Sequence, residues 1–202
     1  MKRHRVVAFT GAGISQESGV PTFVEMGDIR DKLSREYFLA HPREFFDLLL
    51  RMKETVDGAE PNPAHKALAE NNIPVVTMNI DGLHRRAGTG DLIELHGNLE
   101  RVLCRMCGQA YPFAQIEKGI RCPDCQALLD PDVVLYGDLI EGYPEAFALL
   151  ADCDTLLVVG TSFYTSTASV CVSAARDAGA EVVIINENAA SRVPMFLRSS
   201  IL

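Results

Sequence analysis

The stretch RVVAFTGAGIS, residues 5–15, has the pattern that decides the fold. Its first six residues form a short run rich in valine, and the turn Gly11-Ala12-Gly13 follows immediately. A short apolar run that ends at glycines is typical of a buried strand that leads into a tight turn and then a helix. The sequence therefore predicts a strand-helix unit near the start of the chain.

The alternation of strands and helices continues along most of the sequence. Further strands are predicted at residues 75–78, 92–95, 155–159 and 181–185, and helices at residues 64–70 and 168–178. Strands that alternate with helices favour a parallel sheet with helices on both faces. We therefore predict an α/β fold.

The composition limits the number of domains and the classes of partner. With 202 residues, 48% of them hydrophobic, the chain has material for one large core and a small accessory module. The net charge of −8 gives no basic surface for nucleic acid or anionic lipid. No stretch approaches the roughly 18 continuous apolar residues of a membrane span, and the start is too short for a signal peptide. We expect a cytoplasmic monomer that binds neither nucleic acid nor membrane.

Four of the six cysteines form two close pairs. Cys104 and Cys107 are separated by two residues, as are Cys122 and Cys125, and fourteen residues lie between the pairs. This spacing is typical of a tetrahedral zinc site, and a pair of redox dithiols is the less favoured alternative. Four sulfur ligands leave no open coordination position, so we predict one structural Zn²⁺.

The cysteine segment interrupts the strand-helix rhythm. We predict a zinc-ribbon module at residues 100–130, inserted into a discontinuous main domain of residues 1–99 and 131–202. Such a short segment folds through the binding free energy of its metal. Cys153 and Cys171 lie outside the pattern, and we expect both to be packing residues.

The glycine loop at residues 10–15 is a candidate phosphate site. Small residues between a strand and a helix let backbone N–H groups approach a pyrophosphate, although glycines after strands often only form turns. The dehydrogenase fingerprint is missing, because Gln16 stands where its third glycine would be and no acidic residue ends a closely following strand. The loop alone therefore does not decide the ligand.

Polar residues follow two predicted strands, at the end where α/β folds bind ligands. The first strand leads into Thr77-Met78-Asn79-Ile80-Asp81, and the second leads into Leu95-His96-Gly97-Asn98. By itself, a histidine before glycine at a strand end favours a structural role, in which its side chain binds a nearby carbonyl. Together with the glycine loop and the cysteine pairs, in this order, these segments resemble the sirtuin family of NAD-dependent protein deacylases.

The resemblance covers nearly the whole chain. It continues through the segment PDVVLYGD at residues 131–138 and then through residues 160–162 and 185–186. It implies a Rossmann-like NAD-binding domain. It also implies that residues 133–137 bind the substrate as an extended edge to which a peptide adds as a strand, although those residues alone favour an ordinary buried strand.

The resemblance implies roles for individual residues. His96 would be the general base, while Asn79 and Asp81 would hold the nicotinamide ribose and the nicotinamide amide. The implied NAD-binding set is Gly11, Ala12, Gly13, Ser15, Phe23, Asn79, Ile80, Asp81, Gly160, Thr161, Ser162 and Asn186. The implied substrate-binding set is Val133, Val134, Leu135, Tyr136 and Gly137.

The implied reaction consumes NAD as a co-substrate and removes an acyl group from a protein lysine. The acyl-lysine carbonyl oxygen attacks C1′ of the ribose as nicotinamide leaves, and His96 then assists attack by a ribose hydroxyl on the resulting imidate. The products are nicotinamide and O-acyl-ADP-ribose. The partner would be an acyl-lysine protein or peptide.

Two positions depart from the family pattern. Val24 stands where the family has an arginine after the phenylalanine that is retained as Phe23, and Met78 stands where it has a glutamine. Both changes remove polar contacts from the cofactor site. They leave open an ADP-ribosyltransferase or NAD hydrolase, and also a non-catalytic nucleotide-binding protein. A dehydrogenase is a more distant alternative.

Overall fold

A computed structural model describes residues 4–22, 29–161 and 166–200. Its strands form a five-stranded parallel sheet of order β3-β2-β1-β7-β8 and a three-stranded antiparallel sheet of order β5-β4-β6. The strands are β1 (His4–Thr10), β2 (Val75–Thr77), β3 (Leu92–Glu94), β4 (Gly97–Leu103), β5 (Ala110–Pro112), β6 (Asp130–Val133), β7 (Cys153–Val159) and β8 (Glu181–Ile185).

The helices surround the larger sheet and flank the smaller one. A 3₁₀ helix covers Ala12–Ser18, and the α-helices are α1 (Ile29–Lys32), α2 (Arg35–Ala40), α3 (Pro42–Asp57), α4 (Pro63–Glu70), α5 (Leu83–Arg86), α6 (Gln115–Lys118), α7 (Tyr143–Ala151), α8 (Ser166–Asp177) and α9 (Ala189–Ser200). Within the described ranges, none of these helices is both long enough and apolar enough to cross a bilayer.

The predicted α/β architecture is confirmed. All five predicted strands are present within two residues of their predicted ends, and the larger sheet is entirely parallel. The helix after the glycine loop is a 3₁₀ helix that ends at Gly19, where the backbone has a φ of 86°. It is therefore shorter and more tightly wound than the α-helix that usually follows such a loop.

Each face of the larger sheet has its own hydrophobic core. Alternate residues of β1 and β7 point to opposite faces, because the side-chain period of a strand is two. One core joins them to α4 and α9, and the other joins them to α7 and α8. Cys153 and Cys171 are buried in the second core, so the packing role predicted for both is confirmed.

A third core lies away from the larger sheet. Aromatic residues of α2 and α3 pack there against apolar residues of β4, β6 and the cysteine segment. Phe38, Phe45 and Phe46 contact one another edge to face at its centre. Helices α2 and α3 therefore share a core with Cys104 and Cys122. The predicted division into residues 1–99 with 131–202 and residues 100–130 stays a prediction.

The strand order places a ligand crevice at one point of the sheet. The chain leaves β1 toward β2 on one side, while β7 and β8 lie on the other side. In parallel α/β sheets, ligands bind at the carboxyl ends of the strands where the order changes direction in this way. The segments that follow β1, β2, β3, β7 and β8 all open on this edge.

Candidate functional site

The glycine loop is held against the turn that follows β7. The Gly13 N–H donates to the Gly160 carbonyl over 2.8 Å, and the Gly11 N–H donates to the Val159 carbonyl over 3.0 Å. Gly160 has a φ of 65°, and a Cβ there would lie 2.1 Å from the Ile14 nitrogen. Only glycine fits this position, so Gly160 fixes how closely the two loops approach.

We expect Gly160→Ala to lower the free energy of unfolding by about 2 to 3 kcal/mol, because the left-handed backbone and the close contact are both unfavourable for alanine. The midpoint of thermal unfolding should fall by roughly 5 to 10 °C. Gly179→Ala is the matched control, since Gly179 has a φ of 89° but no atom within 4 Å of its Cβ position. An equal effect of the two changes would show that the close contact contributes nothing.

Three predicted site residues meet beneath the glycine loop. The Ser15 hydroxyl donates to Asp81 Oδ2 over 2.7 Å and accepts a hydrogen bond from Asn79 Nδ2 over 3.2 Å. Asn79 Nδ2 also donates to the Gly11 carbonyl over 3.2 Å. Each side chain therefore fixes the orientation of the next, which is the preorganisation that a polar ligand site needs.

Asp81 is the carboxyl group of this buried cluster. Burial raises its pKa, while hydrogen bonds from the Leu83 N–H and the Ser15 hydroxyl act in the opposite direction. Only 5% of the residue is exposed. A carboxyl group held in such a place is well suited to bind an amide of a ligand, because competition from water is small.

Two buried histidines support the group from below. His84 Nε2 lies 2.9 Å from Thr10 Oγ1, His65 Nε2 lies 3.4 Å from Ser15 Oγ, and the two ring centroids are 4.8 Å apart. Burial lowers the pKa of His65 to about 4 and that of His84 well below its usual value. Both rings are therefore neutral, as expected for hydrogen-bonding residues. Their proximity could not be predicted from the sequence, because 19 residues separate them along the chain.

His96 lies two residues after the end of β3, at the strand end beside the one that leads to Asn79 and Asp81. Strand β3 pairs with β2, and the Leu95 N–H donates to the Thr77 carbonyl over 2.9 Å, so His96 and Asn79 extend from neighbouring strand ends. Burial lowers the pKa of His96, and a hydrogen bond to the Met78 backbone opposes that shift. The neutral imidazole, which is the form that accepts a proton, is thus favoured.

The remaining NAD-binding candidates are placed as follows. The Thr161 N–H donates to Asn186 Oδ1 over 3.0 Å, which joins the turns after β7 and β8. Ala12 and Ile80 are half-buried beside the loop and the β2 end, respectively. Phe23 and Ser162 lie outside the described residues, as does Val24.

The predicted substrate segment, residues 133–137, follows β6 and is partly paired with another segment. Strand β6 ends at Val133, and the backbone of Tyr136 is already used, because its N–H donates to Leu33 and its carbonyl accepts from the Arg35 N–H. The edge available for a peptide is therefore the outer side of β6 together with the exposed Gly137. The Val134 N–H donates to the His96 carbonyl over 2.9 Å, which connects this edge directly to the histidine.

The four cysteines converge as their spacing predicts. Their sulfur atoms all lie within 4.8 Å of one another, with Cys104 and Cys125 at 3.4 Å and Cys107 and Cys122 at 3.7 Å. Tetrahedral zinc with bonds of about 2.3 Å places its ligand sulfurs about 3.8 Å apart. Each pair also has the same backbone turn, in which Cys104 accepts from the Gly108 N–H and Cys122 from the Gln126 N–H. These residues fit a zinc ion with no open position.

Comparison with known proteins identifies the family. The model of the Sir2 family matches residues 11–166. The chain belongs to the Sir2 family. It is 40% identical to the NAD-dependent protein deacylase 2 of Pyrobaculum aerophilum, over 96% of this chain and 83% of that protein. It is 36% identical to the NAD-dependent protein deacylase of Thermococcus kodakarensis, over 94% of this chain and 82% of that protein.

Solved structures of Sir2 proteins have the same fold. A Sir2 structure with a p53 peptide and NAD⁺ matches with a TM-score of 0.88 and 28% identity, covering 98% of this chain and 93% of that one. A complex of Sir2 with the inhibitor EX-527, 2′-O-acetyl-ADP-ribose and a deacetylated p53 peptide matches with a TM-score of 0.86 and 29% identity, covering 96% and 93%. The sirtuin resemblance of the sequence is thereby confirmed.

Proposed function

We propose that this Sir2 protein is an NAD-dependent protein deacylase that releases nicotinamide and O-acyl-ADP-ribose. The observation that carries the proposal is the buried group of Ser15, Asn79 and Asp81 at the crevice of the sheet, with His96 at the next strand end. The named relatives and the Sir2 complexes with NAD and peptide support the same activity.

The residues at the crevice have separate roles in NAD binding and catalysis. The glycine loop lies at the cofactor phosphates, because its small residues allow a close approach, while the N–H groups of Gly11 and Gly13 bind the carbonyls of Val159 and Gly160. Asn79 holds the nicotinamide ribose, and Asp81 accepts hydrogen bonds from the nicotinamide amide. His96, kept neutral by burial, takes the proton from a ribose hydroxyl. NAD supplies the C1′ carbon that the acyl oxygen attacks.

The peptide site is the open edge beside His96. An acyl-lysine peptide adds to the outer side of β6 and to Gly137, so its backbone provides affinity that is independent of its side-chain sequence. The Val134 N–H bond to the His96 carbonyl brings the acyl group toward the base. The acidic surface, with a net charge of −8, suits basic protein segments rather than nucleic acid. We take the enzyme to act as a cytoplasmic monomer.

The test is nicotinamide release by the zinc-loaded protein incubated with NAD, with and without lysine peptides that carry acyl groups of increasing chain length. We expect release that depends on peptide, together with equal amounts of deacylated peptide and O-acyl-ADP-ribose. Release without peptide, accompanied by free ADP-ribose or by ADP-ribosylated protein, would instead identify a hydrolase or a transferase. That outcome would also fit the apolar Met78 at this site. Release under none of these conditions would contradict an enzyme of this class.

A further inference from the structure

Arg35, in the first turn of α2, binds two carboxylates at once. Its Nε and Nη2 atoms donate to the two oxygens of Asp138 over 2.8 and 2.7 Å, and its Nη1 and Nη2 atoms donate to those of Asp130 over 2.8 and 3.2 Å. The guanidinium also lies over the Phe38 ring, 5.2 Å from its centroid. The arginine is therefore fixed by charge, by geometry and by packing.

These contacts join three segments that are far apart in sequence. Asp130 begins β6, Asp138 follows the predicted substrate segment, and Arg35 belongs to the helices that share the third core. A short parallel bridge between Ser34 and Tyr136 reinforces the connection through the backbone. Both ends of residues 130–138 are thus tied to one side chain.

Asp138 is hydrogen-bonded to the substrate segment. Its Oδ2 atom accepts the Leu135 N–H over 3.0 Å, and its own N–H donates to the Leu135 carbonyl over 2.9 Å. The turn that this closes contains Gly137, whose φ is 99° and whose Cβ position is 3.8 Å from the Arg35 side chain. The conformation of the turn therefore depends on where Arg35 holds the Asp138 carboxylate.

We propose that Arg35 is a positioning residue for the substrate peptide, which acts through Asp130 and Asp138 to hold β6 and the turn that contains Gly137 in the conformation that a peptide strand can join. This inference rests on the proposed function, because it assigns the outer side of β6 and Gly137 to the peptide. Arg35 contacts none of the residues around the NAD crevice that are described above. Its influence should be confined to peptide binding.

The electrostatics explain why an arginine is needed. The side chains of Asp130 and Asp138 are only 14% and 20% exposed, so their charges are partly removed from water. Burial alone would raise the pKa of Asp138, but the hydrogen bonds from Arg35 and Leu135 lower it overall. Without the Arg35 guanidinium, the two carboxylates would repel each other at the two ends of the substrate segment, with only the exposed Arg105, 3.8 Å from Asp130, to offset the repulsion. A lysine can bind one of them but cannot form the fork to both.

The experiment compares Arg35→Met with the wild-type protein in steady-state kinetics and in peptide binding. We expect the KM and the Kd for an acyl-lysine peptide to rise about tenfold, while kcat, the KM for NAD and the zinc content change less than twofold. Arg35→Lys should recover part of the peptide affinity. So should Arg35→Met combined with Asp130→Asn and Asp138→Asn, because the repulsion is then removed.

Lys53→Met is the matched control. Lys53 pairs with Asp57 within α3, and its side chain is 19% exposed, close to the 23% of Arg35, but neither residue of this pair belongs to residues 130–138. The control should leave the peptide KM unchanged. An Arg35→Met protein with unchanged peptide affinity, or with an equal rise in the KM for NAD, would overturn the positioning role.

The proposed function and the positioning role can fail separately. A wild-type protein that binds the peptide without turnover contradicts the deacylase activity, and the Kd comparison then still decides the role of Arg35. A wild-type protein that neither binds nor deacylates the peptide overturns both.

Discussion

Removal of the metal by a chelator, or by Cys104→Ser together with Cys122→Ser, should unfold the cysteine segment and abolish peptide-dependent turnover. Structural zinc contributes about 10 to 16 kcal/mol in isolated zinc-finger peptides, which is comparable to the whole stability of many domains. Even a loss of about 5 kcal/mol would lower the midpoint of thermal unfolding by roughly 10 to 20 °C. Metal analysis, thermal unfolding and the nicotinamide assay measure the three effects.

The effect should spread beyond the cysteines, because they share a core with other elements. Cys104 and Cys122 are buried against the same apolar cluster that contains Phe45 and Phe46 of α3 and Leu129 before β6. Loss of the metal therefore also releases β6, and β6 leads directly into the substrate segment. Because four cysteine sulfurs leave the zinc ion no open coordination position, we expect the metal to take no part in the reaction. The loss of turnover should therefore follow the loss of structure.

Cys171→Ala provides the matched control for the cysteine substitutions. Cys171 is fully buried in the core beneath α8, and burial raises the pKa of its thiol to about 12, so it is an inert packing group. The variant should retain one zinc ion per chain and lose only about 1 kcal/mol of stability. A doubly substituted zinc-site variant that keeps its unfolding temperature and its turnover would contradict the structural role of the metal.

Most of the fold could be predicted because its signals are local. The strands of the parallel sheet are short apolar runs next to glycine or proline, and the glycine turn follows β1 directly. The cysteine spacing is also local, since each pair needs only one tight turn to bring two sulfurs to a metal. These features depend on neighbours within a few residues, which a single sequence shows.

The contacts that shape the candidate site could not be predicted in the same way. Arg35 is 95 residues from Asp130 and 103 residues from Asp138, and no periodicity connects them. Likewise, the shared core of α3 and the cysteine segment arises from tertiary packing, which neither segment specifies alone. The pairing of Tyr136 with residues 33–35 is a further contact between distant segments, and the sequence does not show it.

His96→Ala should reduce kcat for deacylation by about 10² to 10⁴-fold, the range that a positioned general base contributes. The expected loss is chemical rather than structural, because His96 is only half-buried and its backbone carbonyl, which binds the Val134 N–H, is retained in alanine. NAD affinity and the unfolding temperature should change little. His41→Ala, at an exposed histidine before α3, is the matched control and should be fully active.

The pH dependence distinguishes a base from a structural histidine. Burial lowers the pKa of His96 from 6.5, so the neutral, proton-accepting form predominates at pH 6.5 and above. The kcat/KM of the wild-type protein should therefore stay level from neutral pH down to pH 6.5 and fall about tenfold per pH unit below the pKa. Protonation of Asp81 adds to the fall of kcat/KM at acidic pH. In His96→Ala, the remaining activity should show only the part of the fall that is due to Asp81. A wild-type acid limb that is unchanged in His96→Ala, or a variant with full kcat, would show that another group accepts the proton and that His96 only supports the Val134 contact.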